Sequence, residues 1–438
     1  MDRRRRRPCP RPRALGGRRH HHQPGRGDTR RARRVPVSAL RPLAVYVHIP
    51  FCVRVCGYCD FNTYAGMDAV KDSYTAAVVD EVAAWAPHIP GREATSIAFG
   101  GGTPGEMPAE SLVSIIEAVR AAAPLAPDAE ISLEANPGTT SAPALRDLAA
   151  AGVNRISFGA QSFDAAELAF LDRVHTPEAT AASLHLARAA GIPSVNLDLM
   201  YGLPGQTPAA WRATLRNALD LAPDHLSLYA LTVESGTPLD GRVERGEVTP
   251  LDPDAVAAMY EEATEHLATG GYRQYELSNW ARPGHESRHN CVYWTWGDYL
   301  GIGAGAHGFL EGERFENVAH PRAYIDTVRR DGRAIAEAVR PDPATSMSDW
   351  LALRLRLVEG FDPAEFATTF GEPLETAAGP PLDACRAAGL LEDSEGRLRL
   401  TPRGRLLHNE VAVQVMLHLR ERAGESPATA GGGGPAVA

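Results

Sequence analysis

A repeated alternation of short apolar segments with longer helical segments is the strongest guide to the fold of this chain. Helical periodicity lies between the apolar segments, for example in residues 69–86 and 178–191, and Gly191 stands where a helix C-cap is expected. Strand–helix alternation with a spacing of about 30 residues predicts parallel βα units, in a barrel or a doubly wound sheet. The predicted strands are AVYVHI (44–49), SIAFG (96–100), ISLEA (131–135), RISFGA (155–160), SVNLDLMYG (194–202) and HLSLYAL (225–231).

Polar and glycine-rich motifs follow or end four of these strands. In βα barrels the ligand sites lie on the loops at the carboxyl ends of the strands. We therefore expect these motifs to line one mouth, together with the loop that follows the first strand. The motifs are GGGTP (100–104), E-x-N-P (134–137), G-x-Q-S (159–162) and D-x-x-x-G-L-P-G-Q (198–206).

Three of the six cysteines, Cys52, Cys56 and Cys59, lie in that first loop with the spacing C-x3-C-x2-C. Uneven cysteine positions suit a reducing cytoplasm better than a disulfide framework. Three thiolates can ligate three irons of a [4Fe–4S] cluster and leave the fourth iron open. A zinc site needs a fourth ligand, for which His48 is near in sequence but on a predicted strand, and buried free thiols are another alternative. The spacing favours the cluster.

These motifs resemble the radical S-adenosylmethionine (SAM) superfamily. More narrowly, the chain is similar to the branch of oxygen-independent coproporphyrinogen oxidases and HemW-type heme chaperones. The resemblance runs from about Leu43 to Leu419 and includes VHIPFC, C-x-Y-C-D-F-N-T-Y, FGGGTPGEM, LEANPGT, RISFGAQSF, LDRVH, NLDLMYGLPGQT and YLGIGAGAHGF in order. It implies a partial (β/α)6 barrel in an α/β fold, with a C-terminal, mainly helical, winged-helix-like domain.

The resemblance also implies cofactors and their ligands. Cys52, Cys56 and Cys59 would ligate the [4Fe–4S] cluster, and the open iron would chelate SAM. The implied chemistry is reductive cleavage of SAM to a 5′-deoxyadenosyl radical, which a barrel protects from water. The residues that match SAM contacts of the family are Tyr46, Tyr58, Gly101, Gly102, Thr103, Glu134, Gln161, Arg173 and Asp198.

Two departures from the oxidases decide between the functions in this branch. The oxidases carry a fourth cysteine two residues after the third, where this chain has Phe61, and they carry an N-terminal extension unlike this one. The HemW-type proteins carry H-N-x-x-Y-W, present here in residues 289–294. The resemblance thus favours a heme chaperone over the alternative, an oxygen-independent coproporphyrinogen III oxidase. It implies heme as the cargo and respiratory-type proteins as acceptors, but does not identify an electron donor.

The heme ligand is left open among several residues. A histidine can ligate heme iron and aromatic side chains can flank a porphyrin. The motif offers His289, Cys291, Tyr293 and Trp294; His307 and the dipeptide Cys9-Pro10 are weaker candidates. The segment GIGAGAHG (301–308) lacks the strand and helix context of a dinucleotide loop, so we interpret it as close backbone packing.

The predicted organisation has five parts: an Arg/Pro-rich disordered head (1–42), the radical SAM core (43–240), an extension with the H-N-x-x-Y-W motif (241–340), the C-terminal domain (341–422) and a disordered tail (423–438). The first 40 residues carry a net charge of +12 and the remainder −21. The head has no apolar region of a secretory signal and is interpreted as an inert tail; an arm for nucleic acid or acidic membrane, in a non-catalytic module, is the alternative. No run approaches the length of about 18 apolar residues of a membrane span. The expectation is a cytoplasmic protein with no specific nucleic-acid partner, for which peripheral membrane contact is plausible.

Overall fold

A mixed sheet of twelve strands forms the framework of this protein. The computed structural model describes residues 40–424, so most of the predicted head and tail lie outside the described residues. The strands are β1 (Arg41–Ile49), β2 (Phe51–Cys52), β3 (Tyr64–Ala65), β4 (Arg92–Gly101), β5 (Leu125–Ala135), β6 (Arg155–Gln161), β7 (Ser194–Tyr201), β8 (His225–Ala230), β9 (Arg273–Glu276), β10 (Asn279–Ala281), β11 (Tyr299–Ile302), β12 (His307–Leu310), β13 (Glu313–Asn317), β14 (Ile335–Val339), β15 (Leu391–Ser394) and β16 (Arg397–Leu400).

Helices connect the strands and build the C-terminal region. Short 3₁₀ helices span Asp68–Val70, Ala86–His88 and Pro104–Glu106. The α-helices are α1 (Lys71–Trp85), α2 (Ala109–Ala122), α3 (Ala142–Ala150), α4 (Ala165–Phe170), α5 (Pro177–Ala189), α6 (Pro208–Asp220), α7 (Pro238–Glu244), α8 (Pro253–Thr269), α9 (Arg288–Trp294), α10 (Pro321–Asp331), α11 (Pro343–Arg354), α12 (Pro363–Phe370), α13 (Leu374–Ala387), α14 (Pro402–Leu406) and α15 (His408–Arg422).

Threonine or aspartate followed by proline starts many of these helices. The side chains of Thr176, Thr207 and Thr237 each accept a hydrogen bond from a backbone N–H in the first turn, and Asp252 and Asp342 do the same. Such a side chain satisfies a donor that has no partner within the helix, and proline fits the next position because its missing N–H is not needed there.

The order of the strands confirms the partial (β/α)6 barrel. The sheet runs β14-β13-β12-β11-β1-β4-β5-β6-β7-β8-β10-β9, and the six strands β1, β4, β5, β6, β7 and β8 are parallel neighbours in sequence order. The carboxyl ends of these strands therefore share one edge, which we call the mouth.

The extension after residue 240 belongs to the same sheet. β11 adds a seventh parallel strand beside β1, with Val45 opposite Leu300, and β12, β13 and β14 continue the sheet antiparallel. At the other side β10 and β9 follow β8, also antiparallel. The sequence pattern did not predict these strands, which are short; β11 and β12 also contain a glycine.

Two large hydrophobic cores and one small apolar cluster lie in the described residues. The larger core fills the barrel and its surrounding helices, and the smaller one is built from residues 344–419 of the C-terminal helical domain. In the C-terminal domain β15 and β16 pair antiparallel as a hairpin. Among residues 40–424, no helix is both long and apolar enough to cross a lipid bilayer.

Candidate functional site at the barrel mouth

The three cysteines lie on a loop that closes on itself directly after β1. β2 and β3 pair in parallel, the Tyr64 N–H donates to the Pro50 carbonyl oxygen at 2.7 Å, and the Cys59 N–H donates to the Cys56 carbonyl oxygen at 3.1 Å. All three thiols are half-buried. The loop thus holds its sulfur atoms at the mouth rather than in the core or far out in solvent.

The glycine-rich segment after β4 is joined to this loop through its backbone. The N–H groups of Gly102 and Thr103 donate to the carbonyl oxygens of Ile49 and Phe51, both at 2.8 Å. A Cβ atom on Gly102 would approach the Phe51 oxygen to 2.7 Å, so only glycine fits there. The Thr103 hydroxyl lies 3.4 Å from the Cys52 sulfur, which brings two predicted site residues into contact.

Two carboxylates stand at the mouth in recessed positions that solvent still reaches, with Glu134 exposed and Asp198 half-buried. Glu134 accepts a hydrogen bond from the Gly101 N–H at 3.2 Å, and Asp198 accepts from the Ser157 hydroxyl at 2.8 Å and the Asn196 amide at 2.7 Å. Burial raises the pKa of Glu134 to about 7, and the charge of Asp198 adds to this effect. Burial also raises the pKa of Asp198. Because two carboxylates share this recess, it favours a cationic ligand.

Arg173 connects the cysteine loop with β6. Its guanidinium donates to the Cys56 sulfur at 3.7 Å, to the Gly159 carbonyl oxygen at 2.6 Å and to the Asn136 side-chain oxygen. Arg173 thus brings a positive charge to a mouth that also holds two carboxylates. A guanidinium suits a ligand carboxylate.

Gln161 shows two signs of a ligand-binding position. Its backbone has φ 61°, an unfavourable region for a residue other than glycine, asparagine or aspartate. Its side-chain oxygen is buried and accepts no hydrogen bond from the described residues. A buried acceptor without a partner costs free energy, so this oxygen is suited to a donor on a bound molecule.

His48 fixes the orientation of the Tyr46 hydroxyl. The His48 Nε2 atom lies 3.0 Å from the Asn62 carbonyl oxygen, which only accepts, so Nε2 carries the hydrogen. Burial lowers the pKa of His48, so the ring is neutral and its Nδ1 accepts from the Tyr46 hydroxyl at 3.0 Å. The Tyr46 oxygen therefore offers its lone pairs to the mouth. Sequence reasoning considered His48 only as a zinc ligand and missed this role, although its position two residues after Tyr46 on one face of β1 was a usable signal.

Tyr58, directly before Cys59 on the cysteine loop, is the last of the predicted SAM residues. Its ring packs on a small apolar cluster formed by Leu171, Met200 and Leu203. An aromatic ring on an apolar bed beside Arg173 is a suitable surface for a flat aromatic group such as adenine. The nine predicted SAM residues thus gather around one mouth.

The residues at the mouth fit an iron–sulfur cluster better than a zinc ion. A single zinc ion requires its ligands to converge on one point, whereas each thiolate of a [4Fe–4S] cluster ligates a different iron. Within residues 40–424, no group of three or more His, Cys, Asp or Glu side chains converges in the way that ligands of one metal ion do. Burial raises the pKa of Cys52 to about 11, so loading a cluster would release its proton.

The predicted heme residues lie elsewhere, on α9. His289 is 2% exposed, its Nδ1 lies 2.8 Å from the Ser96 hydroxyl, and its Nε2 lies 2.7 Å from the Tyr293 hydroxyl. Ser96 stands five residues before the end of β4, so this imidazole is inside the barrel below the mouth. Burial lowers the pKa of His289 to about 3. In this conformation neither ring nitrogen is free for iron.

The other two residues of the motif have structural contacts of their own. Burial and then the charge of Glu130 raise the pKa of Cys291 to about 12, so it is no ready thiolate. The Trp294 ring packs 4.2 Å from the Arg356 guanidinium, which also bonds the buried Glu276 carboxylate at 2.9 Å. The motif therefore joins the barrel to the C-terminal domain. His307 is exposed in β12, and Cys9-Pro10 lies outside the described residues.

The segment GIGAGAHG is confirmed as close backbone packing. A Cβ atom on Gly303 would lie 2.5 Å from the His48 carbonyl oxygen, and one on Gly301 would overlap the His307 carbonyl oxygen. The glycines let this segment pass directly beside the end of β1.

Comparison with known proteins agrees with this architecture. The sequence profile of the radical SAM superfamily matches residues 46–218, and that of the HemN C-terminal domain matches residues 342–407. The structure is similar to that of coproporphyrinogen III oxidase (HemN) from Escherichia coli, with a TM-score of 0.75 and 25% sequence identity, covering 87% of this chain and 92% of that one.

The relatives found by sequence similarity identify the family more narrowly than the similar structure does. The heme chaperone HemW of Escherichia coli (strain K12) is 40% identical over 379 residues, which cover 85% of this chain and 97% of that protein. The heme chaperone HemW of Mycobacterium tuberculosis (strain ATCC 25618 / H37Rv) is 39% identical over 380 residues, covering 86% and 95%. This chain belongs to the HemW family of radical SAM proteins.

Proposed function

We propose that this protein is a heme chaperone that binds heme and delivers it to acceptor proteins. The observation that carries the proposal is the agreement along nearly the full length of relatives named heme chaperone, at 40% identity. Phe61 supports it, because the oxidases of this branch are expected to have a fourth cysteine there. The Phe61 side chain is 60% exposed on the cysteine loop, so no buried packing role accounts for it.

In this proposal the mouth holds a [4Fe–4S] cluster on Cys52, Cys56 and Cys59, together with SAM. When bound, the cluster supplies an electron for reductive chemistry on SAM. The chain's own residues would bind SAM and orient it at the cluster. The Glu134 and Asp198 carboxylates would bind the cationic and hydroxyl groups of SAM, and Arg173 would bind its carboxylate.

Other residues position these groups. The backbone of Gly101, Gly102 and Thr103 approaches the ligand closely, Gln161 accepts from a ligand donor, and Tyr46 and Tyr58 flank the site. The heme role of His289, Cys291, Tyr293 and Trp294 stays a prediction, since coordination by His289 requires loss of the Ser96 or the Tyr293 hydrogen bond. Residence in the cytoplasm, respiratory-type acceptors and peripheral membrane contact are also predictions.

The test is anaerobic reconstitution of the cluster followed by two parallel assays. One measures protoporphyrinogen formed from coproporphyrinogen III with SAM and a reductant, and the other titrates hemin by absorbance. We expect hemin binding at micromolar protein and no porphyrinogen turnover. Turnover at enzyme-like rates, or absence of hemin binding to the reconstituted protein, would contradict the proposal.

A further inference from the structure

Asn136, in the E-x-N-P segment at the end of β5, joins two residues that contact the cysteine loop. Its side-chain amide donates to the Thr103 hydroxyl oxygen at 3.0 Å, and its side-chain oxygen accepts from the Arg173 guanidinium. Because a guanidinium only donates, the amide oxygen must face Arg173 and the NH₂ group must face Thr103. The orientation of the Asn136 amide is therefore fixed.

The surrounding backbone holds this side chain in place. Pro137 restricts the residue before it to an extended conformation, and the Asn136 carbonyl oxygen accepts from the Thr139 N–H at 3.1 Å and the Thr139 hydroxyl at 2.7 Å. A Cβ atom on Gly159 would lie 2.9 Å from the Arg173 guanidinium and 3.3 Å from the Asn136 side-chain oxygen. Glycine at position 159 thus leaves room for the pair of Asn136 and Arg173.

The fixed amide sets the direction of the Thr103 hydroxyl. A hydroxyl has one hydrogen to donate, and the Thr103 oxygen already accepts from Asn136. The Cys52 sulfur lies 3.4 Å from the same oxygen. A cysteine that ligates iron is a thiolate and only accepts, so in the loaded protein the hydroxyl hydrogen points to Cys52. Thr103 is 2% exposed, so bulk water does not compete for this hydrogen.

We propose that Asn136 is a positioning residue, which aims the Thr103 hydroxyl at the Cys52 thiolate and thereby raises the reduction potential of the cluster. A hydrogen bond to a cluster sulfur stabilises negative charge. One-electron reduction of the cluster adds negative charge, so this hydrogen bond is stronger in the reduced state than in the oxidised state. The inference rests on the proposed [4Fe–4S] cluster at the mouth.

The test is an anaerobic redox titration of the reconstituted full-length protein with dithionite, followed by visible absorbance and by the electron paramagnetic resonance of the reduced cluster. Thr103→Val removes the hydroxyl. At the potential that half-reduces the wild type, we expect the ratio of reduced to oxidised cluster to fall about tenfold, which is about 59 mV for one electron. The matched control, Thr95→Val, removes a half-buried hydroxyl in the amino-terminal half of β4 and should leave the ratio unchanged.

A double-mutant cycle tests Asn136 itself. Asn136→Leu should lower the ratio about threefold, because the hydroxyl is then free to turn away from the sulfur, and this effect should vanish in the Thr103→Val background. Thr103→Ser keeps the hydroxyl and should retain the wild-type ratio. If Asn136→Leu takes up no cluster, Asn136→Asp replaces it in the cycle. The aspartate keeps a partner for Arg173 but accepts from Thr103, so its effect should be smaller in the Thr103→Val background.

The outcomes separate this inference from the proposed function. An unchanged potential in Thr103→Val overturns the inference, as does an effect of the Asn136 variants that is equally large with and without the Thr103 hydroxyl. Either result leaves the cluster and the chaperone function standing. A wild-type protein that takes up no cluster refutes the proposed cluster site, and the inference with it.

Discussion

The Glu81 carboxylate holds the segment before His307, and the structure predicts how much stability is lost when this carboxylate is replaced. Glu81 is fully buried on α1 and accepts four hydrogen bonds. One oxygen accepts from the Gly303 N–H at 3.0 Å and the Tyr324 hydroxyl at 2.7 Å, and the other from the Asn317 amide at 2.9 Å and the Ala334 N–H at 3.4 Å. Because each carboxylate oxygen accepts two hydrogen bonds, a side chain that donates at either position would lose acceptors that these groups need.

The size of the effect follows from this count. In Glu81→Gln one oxygen becomes an NH₂ group. Turned toward Asn317 and Ala334, it leaves two buried N–H donors without an acceptor; turned toward Gly303 and Tyr324, it leaves one, because the Tyr324 hydroxyl can rotate to accept. Each unsatisfied buried donor costs about 1–3 kcal/mol. Burial raises the pKa of Glu81, so removing the charge offsets part of the loss. The better orientation leaves one donor unsatisfied, so we expect the free energy of unfolding to fall by about 2 kcal/mol.

Urea denaturation followed by circular dichroism measures this loss. The matched control is Asp80→Asn, the preceding residue on α1, which is exposed and forms no ion pair among the described residues. The control should change stability by less than about 0.5 kcal/mol. If Glu81→Gln is as stable as Asp80→Asn, the reasoning that this carboxylate holds the glycine segment is wrong.

Two further predictions concern the mouth. Cys56→Ala should abolish the visible absorbance of the reconstituted cluster, whereas Cys385→Ala, in the C-terminal core, should keep it; an intact cluster in the first variant would contradict the ligand assignment. SAM affinity, measured by anaerobic calorimetry, should be constant well above pH 7 and should fall below it by up to about tenfold per pH unit, because a cationic ligand binds the ionised Glu134, whose pKa is raised by burial to about 7. Glu134→Gln should remove that slope, and an equal slope in both proteins would exclude Glu134 as its source.

The barrel was predictable because each of its strands and helices can be identified from the pattern of apolar residues within its own segment. The segment 194–202 is rich in apolar residues, with Asn196 and Asp198 as the polar residues in its interior, and the structure has a strand at Ser194–Tyr201 ending in the predicted polar site. The helix predicted over 178–191 is α5, and Gly191 follows it with φ 90°, in the conformation that ends helices at glycine. The assignment of polar residues at the strand ends to SAM came from the family resemblance. The spacing of these residues in the sequence does not give that assignment.

The remainder depends on contacts between distant parts of the chain. β11 has four residues, one of them glycine, and it is a strand because the edge of β1 is open to pair with it. The hydrogen bond between His289 and Ser96 joins residues 193 positions apart. No local pattern distinguishes a histidine that is locked in this way from one that is free to ligate a metal.

The exposed Phe61 is best understood together with its neighbour. Asn62 makes the tertiary contacts of this segment, with two side-chain hydrogen bonds and a carbonyl oxygen that accepts from His48. Phe61 is not needed for those contacts, and an exposed phenylalanine costs free energy in water. A cysteine here would place a fourth thiol beside the cluster loop, whereas the phenylalanine leaves an exposed apolar ring there. The residue that argues against the oxidase is therefore one that the contacts of this loop do not require.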